Sequence, residues 1–389
     1  MDITTMRKII VVAGARPNFI KIAPLMTALA ELRACTPLLV HTGQHYDAGM
    51  SEVFFQELQI PRPLYTLGVG SGSHGEQTAR VMLAFEPLLQ HERPDWVVVV
   101  GDVNSTLACA LTAAKQGVPV AHVEAGLRSF DRTMPEEINR QLTDALSALL
   151  FTPSEDANTH LHREGIAAAK IHLVGNIMID TLRRYEMAAR ARQTCQRYDL
   201  AAGSYALVTL HRPSNVDERE TLQAFLHLLA RIHERTPVLF PAHPRTQARL
   251  QAWGMTLPKG LRLCAPVGYL DFLSLMADAR LVLTDSGGVQ EETTALGVQC
   301  LTLRDTTERP VTVTCGTNRV VGTEPCRILT AVNQVLAAGP IPKRLPPLWD
   351  GQTAPRIARL LAEVGGVGEA GAPPREVAAQ LESNSLQHI

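Results

Sequence analysis

The sequence has no excess of charge of either sign: 37 Lys and Arg stand against 38 Asp and Glu in 389 residues. That balance argues against nucleic acid as the main partner, although a few arginines and backbone N–H groups can hold a small anion locally. Long apolar runs are missing too. A membrane span needs roughly 18 consecutive apolar residues, and the longest strongly apolar strand pattern, Trp96 to Val100, has only the length of a strand. Cysteine is scarce and scattered, at 35, 109, 195, 264, 300, 315 and 326, with no C-x-x-C and no Cys/His spacing that would gather zinc ligands. The seven read as reduced, mostly buried thiols. Their odd number, and a start at Met1-Asp2-Ile3-Thr4 that lacks a charged n-region and apolar h-region, point to the cytoplasm. The first strand-to-helix turn lacks G-x-G-x-x-G, which weakens a nicotinamide dehydrogenase reading.

Hydrophobic residues make up 46% and charged residues 19%, a composition that does not favour disorder. At roughly 150 residues per domain the length suggests two to three domains. Short β-branched runs alternate with helix-length periodic segments, the rhythm of βαβ units and a parallel sheet. Strands are expected at Lys8 to Ala13, Leu38 to Thr42, Trp96 to Val100, Pro119 to Val123, Leu149 to Thr152 and Ile171 to Val174. The rhythm restarts at Ala206 to Leu210, Val238 to Pro241, Leu261 to Cys264, Leu281 to Thr284 and Cys300 to Leu303, with helices near Arg219 to His233 and Leu270 to Ala277. The expectation is an α/β protein of two doubly wound, Rossmann-like domains, 1–175 and 176–350, with the boundary between Val174 and Ser204. A last helix, Ala354 to Val364, follows in 351–365, and the Gly- and Pro-rich 366–389 reads as a flexible tail.

Ligands of open α/β sheets sit outside the carboxyl ends of the strands, so the turns there hold the chemistry. Thr284-Asp285-Ser286-Gly287-Gly288 leads from a strand into a helix beginning Val289-Gln290-Glu291-Glu292. Two glycines, a hydroxyl and a helix N-terminus suit a phosphate, with Glu292 a turn inside to accept from ribose hydroxyls. The bland reading is a tight turn whose acids suit the helix start. In the first turn Arg16 stands at the mouth, Pro17 opens a helix and Lys21 follows; the bland reading is a solvated helix end. Asp102 and Glu124 end successive strands, and Thr133-Met134-Pro135-Glu136-Glu137 adds acids. Carboxylates gathered in one cleft can have their pKa values pushed apart, giving a proton donor and a proton acceptor. Alternatively Asp102 caps a helix, Glu124 pairs with Arg128, Thr133 and Glu136 form a capping box and Glu136 pairs with Arg140. His211 and His243 end neighbouring strands on the same edge as Ser286. Phe272 fits either an aromatic face for a base or an ordinary core stripe, and Arg304-Asp305-Thr306-Thr307-Glu308-Arg309-Pro310 concentrates charge there.

Together these segments resemble the non-hydrolysing UDP-N-acetylglucosamine 2-epimerases. The resemblance runs from Gly14 to about Gly322 through G-x-R-P-x-x-I-K, H-V-E-A-G-L-R, P-E-E-x-N-R, T-D-S-G-G-x-Q-E-E and R-D-T-T-E-R-P, in order. It implies a GT-B-like fold with the sugar nucleotide between the domains and a last helix crossing back onto the first. It also implies reversible conversion of UDP-N-acetylglucosamine to UDP-N-acetylmannosamine, by anti elimination of UDP to 2-acetamidoglucal and re-addition. On that resemblance Asp102, Glu124 and Glu136 are the acid/base carboxylates and His211 is an active-site histidine beside the diphosphate. Arg16, Ser286, Gly287 and Gly288 contact the diphosphate, Glu292 the ribose and Phe272 the uracil, with Lys21 and His243 also lining the substrate. Neither nicotinamide nor metal is required, in keeping with the missing G-x-G-x-x-G and D-x-D. The UDP-sugar is the expected partner, with no nucleic acid or membrane, and a homodimer is the family habit.

The chain departs from the family pattern at Arg16-Pro17-Asn18, where many members have Arg-Pro-Glu, and at His211-Arg212-Pro213-Ser214, where many have His-Arg-Arg-Glu. After Gln44-His45-Tyr46-Asp47 it lacks a further glutamine, which argues against activation by a second substrate molecule. These changes also suit a modified sugar such as a UDP-diacetamido-uronic acid. The competing expectations are a GT-B glycosyltransferase, which seldom needs several acids around the sugar, and a non-catalytic sugar-nucleotide sensor, which would not need them at all.

Overall fold

The computed structural model describes residues 6–44, 54–258, 261–339, 341–342 and 344–364. The expected tail, and His45, Tyr46 and Asp47 of the second loop, lie outside these residues.

Thirteen strands are described: β1 Arg7–Ala13, β2 Cys35–His41, β3 Tyr65–Thr66, β4 Trp96–Val100, β5 Val120–Val123, β6 Leu149–Thr152, β7 Ile171–Leu173, β8 Ala206–Thr209, β9 Val238–Pro241, β10 Arg262–Cys264, β11 Leu281–Thr284, β12 Gln299–Thr302 and β13 Asn318–Val320. Every residue of β4 is buried, which is why it reads as an uninterrupted apolar run: a central parallel strand is covered by helices on both faces. The first sheet has the order β3-β2-β1-β4-β5-β6-β7 and the second β10-β9-β8-β11-β12-β13. All the strand pairings are parallel. The expected strands are found, while β3 and β13 were not anticipated: β3 is only Tyr-Thr and β13, Asn-Arg-Val, has a single apolar residue, so neither presents an apolar run.

In each sheet the strand order reverses once, between β1 and β4 and between β8 and β11. The loops after these strands diverge to opposite faces of the sheet and leave a crevice, the place where such folds take ligands. The two switch points carry the turns after Ala13, Val100, Thr209 and Thr284, four of those singled out above.

One apolar cluster runs through both halves, from Ile9 and Phe19 to Leu207, Leu239 and Val282. The helix Ile177–Ala191 supplies the junction, packing on the helix Arg16–Glu31 of the first half and on Tyr269–Ala277 and Gly287–Leu296 of the second. The helix Thr353–Glu363 then returns onto Arg16–Glu31. Its fully buried Ile357 and Leu361 each contribute roughly 1.5–3 kcal/mol by leaving water. Asp180 fixes its start by accepting from the N–H of Thr353 (3.1 Å) and Ala354 (2.6 Å), while Trp349 Nε1 donates to the carbonyl of Pro153 at 3.0 Å. No helix among the described residues is long and apolar enough to cross a membrane.

Candidate active site

The acids of the first half are set by backbone geometry. Gly101 takes a left-handed φ of +70° between β4 and Asp102, and a Cβ there would lie 3.1 Å from Lys21 Nζ and 3.4 Å from Glu124 Oε2. Only glycine lets the chain turn so close to that ion pair. Glu124 itself has φ 73°, a conformation that non-glycine residues avoid and that is held where function requires it. It is over-determined here: the N–H groups of Glu124 and Ala125 both donate to the carbonyl of Phe151 at 3.1 Å, and Gly126 N–H donates to Asp144 Oδ2 at 3.1 Å. Asp144 is buried, yet His122 at 2.6 Å and Arg128 at 2.7 Å outweigh burial and hold its pKa below the ordinary carboxylate range. The other nitrogen of His122 lies 2.8 Å from the carbonyl of Gly101, so one charged cluster braces both turns.

The bland alternatives for these residues do not hold. Lys21 is buried and paired with Glu124. Arg128 turns away from Glu124 to Asp144 and Glu164. Asp102 caps nothing, since the helix Asn104–Lys115 has Val103 at its N-cap; it meets Arg140 at 2.5 Å instead. Thr133 hydrogen-bonds Asp131, and Met134 precedes the helix Pro135–Leu146 without a side-chain cap. Arg140 pairs with Glu137, not Glu136. Half-buried Glu136 faces the charge of Arg212 from the second half. The departure at Asn18 is structural: buried, it accepts from the N–H of Gly14 and Ala15 at 3.0 Å and donates to the carbonyl of Val100 at 2.9 Å, tying two turns together. Arg16 opens its helix with Pro17 beside it, but its guanidinium lies outside the described structure.

In the second half, Ser286 is the N-cap of Gly287–Leu296 without spending its hydroxyl on the cap. The first N–H groups of that helix therefore begin at two glycines, next to Ser286. A Cβ on Gly287 would sit 2.3 Å from Arg309 Nη1, so glycine is what admits the arginine across the helix start. His211 and His243, at the ends of β8 and β9, have ring centroids 5.5 Å apart. His243 also caps its own helix, its Nδ1 accepting from Arg245 N–H at 3.2 Å. Phe272 is half-buried and packs against the main core, so the core-stripe alternative is realised at least in part. Glu292 is buried and accepts from the Tyr269 hydroxyl at 2.8 Å. Burial pushes its pKa up to about 7, the Tyr269 hydrogen bond opposing and the charge of Glu291 assisting.

What joins the halves is the loop after β12, which the sequence marked as charged and as one of the motifs of the resemblance, with no residue of it given a role. Arg309 is buried among Glu291 at 2.8 Å, Glu308 at 2.5 Å and Glu124 at 3.8 Å, and it also feels the charge of Asp102. Burial raises the pKa of Glu291 to about 7, the charge of Arg309 opposing and that of Glu124 adding to the rise. Glu308 also pairs with Arg304 at 2.7 Å and lies 3.6 Å from Arg212. Gln290 holds the loop from below, its Oε1 accepting from Thr307 at 2.6 Å and Asn318 at 3.1 Å. Asp102, Glu124 and Glu136 are thereby brought to one region facing Arg309 and Arg212. Arg309 was readable only as part of the R-D-T-T-E-R-P run; the first-half acids it faces, Glu124 and Asp102, lie over 180 residues away. Among the described residues no group of three His, Cys, Asp or Glu side chains is arranged to hold a metal ion.

The chain has relatives among known proteins. The family model described as UDP-N-acetylglucosamine 2-epimerase matches residues 27–362. A UDP-N-acetylglucosamine 2-epimerase of Methanocaldococcus jannaschii is 44% identical over 363 residues, covering 91% of this chain and 98% of its own. A UDP-2,3-diacetamido-2,3-dideoxy-D-glucuronate 2-epimerase of Pseudomonas aeruginosa is 42% identical, covering 92% and 100%. The crystal structure of the M. jannaschii enzyme in complex with UDP-GlcNAc and UDP superposes with a TM-score of 0.85 at 43% identity, over 91% of this chain and 99% of that one.

Proposed function

The chain belongs to the UDP-N-acetylglucosamine 2-epimerase family, and on that footing we propose that it interconverts UDP-N-acetylglucosamine and UDP-N-acetylmannosamine by elimination and re-addition of UDP. The C2 proton of such a sugar has no adjacent carbonyl to take up an anion, so its removal must be coupled to loss of the leaving group. A base takes the proton, the C2–H electron pair becomes the C1=C2 bond of 2-acetamidoglucal, and the C1–O pair departs with UDP. Re-addition reverses these steps with a proton delivered to the opposite face. The reaction therefore needs at least two carboxyl groups around the ring and a cationic, N–H-rich seat for the diphosphate.

The observation that carries this reading is the convergence of Asp102, Glu124 and Glu136 from the first half on Arg309 and Arg212 of the second. Asp102, Glu124 and Glu136 serve as acid/base groups, and His211 meets the diphosphate. Arg16, Ser286, Gly287 and Gly288 seat it at the helix N-terminus, and Lys21 holds Glu124 in place. Glu292 takes the ribose, Phe272 the uracil, and His243 stands beside His211. The test is incubation of the purified protein with UDP-N-acetylglucosamine in deuterated water: C2 gains deuterium and the manno epimer forms. No exchange at high enzyme concentration would sink the assignment.

A second reading is favoured by the P. aeruginosa relative, whose name specifies a diacetamido-uronate sugar. The same assay run with that UDP-sugar separates the two, since exchange confined to the uronate would make it the substrate.

A further inference from the structure

We propose that Asp285 is the positioning residue for His211: its carboxylate accepts from Nδ1–H and so fixes the ring with Nε2 towards the diphosphate, where a proton on Nε2 lets it donate to a phosphate oxygen. The inference rests on the functional reading above, and it names a residue to which that reading gives no role. Asp285 is fully buried between the ends of β8 and β11. Its Oδ1 lies 2.9 Å from His211 Nδ1. Its Oδ2 accepts from the N–H groups of Arg212 at 2.9 Å and His211 at 3.0 Å and from Asn215 Nδ2 at 3.0 Å. Asn215 is itself buried and donates to the carbonyl of Leu303 at 3.2 Å. An ionised carboxylate only accepts, so the ring nitrogen facing it must be the N–H. The tautomer of a histidine is set by the bond its other nitrogen makes.

Asp285 is ionised across the working range, because burial, which would raise its pKa, is outweighed by His211 and the backbone N–H groups, and the value falls to about 2. The two strand ends are already stapled by the backbone N–H groups and Asn215 on Oδ2, the His211 N–H also reaching Oδ1 at 3.2 Å. The contact of Oδ1 with Nδ1 adds to that staple by ordering a ring whose side chain is 39% exposed and which would otherwise rotate. The strand order puts the two residues together: β8 and β11 are neighbours in register, Thr209 opposite Thr284, their hydroxyls 2.6 Å apart.

The experiment compares wild type, His211→Asn, Asp285→Asn and the double variant in the deuterium-exchange and epimerisation assay, with UDP binding followed by calorimetry. A lost acid/base or charge-matching contact costs on the order of a hundredfold in rate. Asp285→Asn is expected to lower kcat by about that factor while KM and UDP affinity change less than about threefold, and the double variant should be no slower than His211→Asn alone. Losses that multiply in the double variant, or a wild-type kcat in Asp285→Asn, overturn the proposal. Nitrogen NMR of wild-type His211 at pH 8 decides independently of how the variants fold: protonated Nδ1 is expected, and an unprotonated Nδ1 overturns it. A wild type that exchanges no UDP-sugar refutes the functional reading instead and leaves the NMR result to judge the Asp285–His211 pair.

Discussion

Replacing Glu292 with glutamine should make the protein less sensitive to rising pH. In the structure this carboxyl is buried in the first turns of Gly287–Leu296, with the Tyr269 hydroxyl donating to it. Burial dominates, so its pKa rises from 4.5 to about 7, a shift corresponding to about 3 kcal/mol. A carboxyl with a raised folded-state pKa binds its proton more tightly folded than unfolded. Its contribution is therefore fully present below pH 4.5 and is lost as pH rises through about 7. Glutamine keeps an acceptor for Tyr269 and has no proton to lose. Urea unfolding, followed by tryptophan fluorescence across that window, should show the wild type losing about 3 kcal/mol more than Glu292→Gln. Glu291 titrates over the same range in both proteins and largely cancels in the difference. Asp285 and Glu308, held below the ordinary carboxylate range, withdraw their contributions only at lower pH. Parallel pH profiles for the two proteins would refute the reasoning.

Asp102→Asn and Glu136→Gln should keep the circular dichroism spectrum of the wild type and lose roughly a hundredfold or more of C2 exchange; wild-type rates in both would return these acids to ion pairing. Gly287→Ala puts a methyl group 2.3 Å from Arg309 Nη1. It should destabilise the protein by about 1–3 kcal/mol and weaken UDP binding, and an unchanged thermal midpoint would mean that Arg309 does not cross the helix start.

The architecture was largely legible because it is written locally. Trp96–Val100, Leu149–Thr152, Val238–Pro241 and Leu281–Thr284 are found where their apolar runs end, since strands covered on both faces cannot afford polar interruptions. Tyr65–Thr66 and Asn318–Val320 escaped notice because neither Tyr-Thr nor Asn-Arg-Val presents an apolar run. The turn residues were legible for the same local reason: Gly-Gly after a strand and Arg-Pro before a helix announce a backbone conformation.

Pairing was not legible. Spacing offered Glu124 to Arg128, Glu136 to Arg140 and Thr133 to Glu136, all neighbours in sequence, and the fold chose Lys21 and Arg309 for Glu124 and Arg140 for Asp102. A buried carboxylate takes whichever cation the strand order delivers to it, and that cation is rarely on its own turn. The sequence by itself determined two parallel sheets and the turns at their carboxyl ends, because backbone propensity and apolar periodicity are properties of a few consecutive residues. Only the tertiary structure decided which acid meets which base, because β1 beside β4 and β8 beside β11 bring together residues tens to hundreds of positions apart.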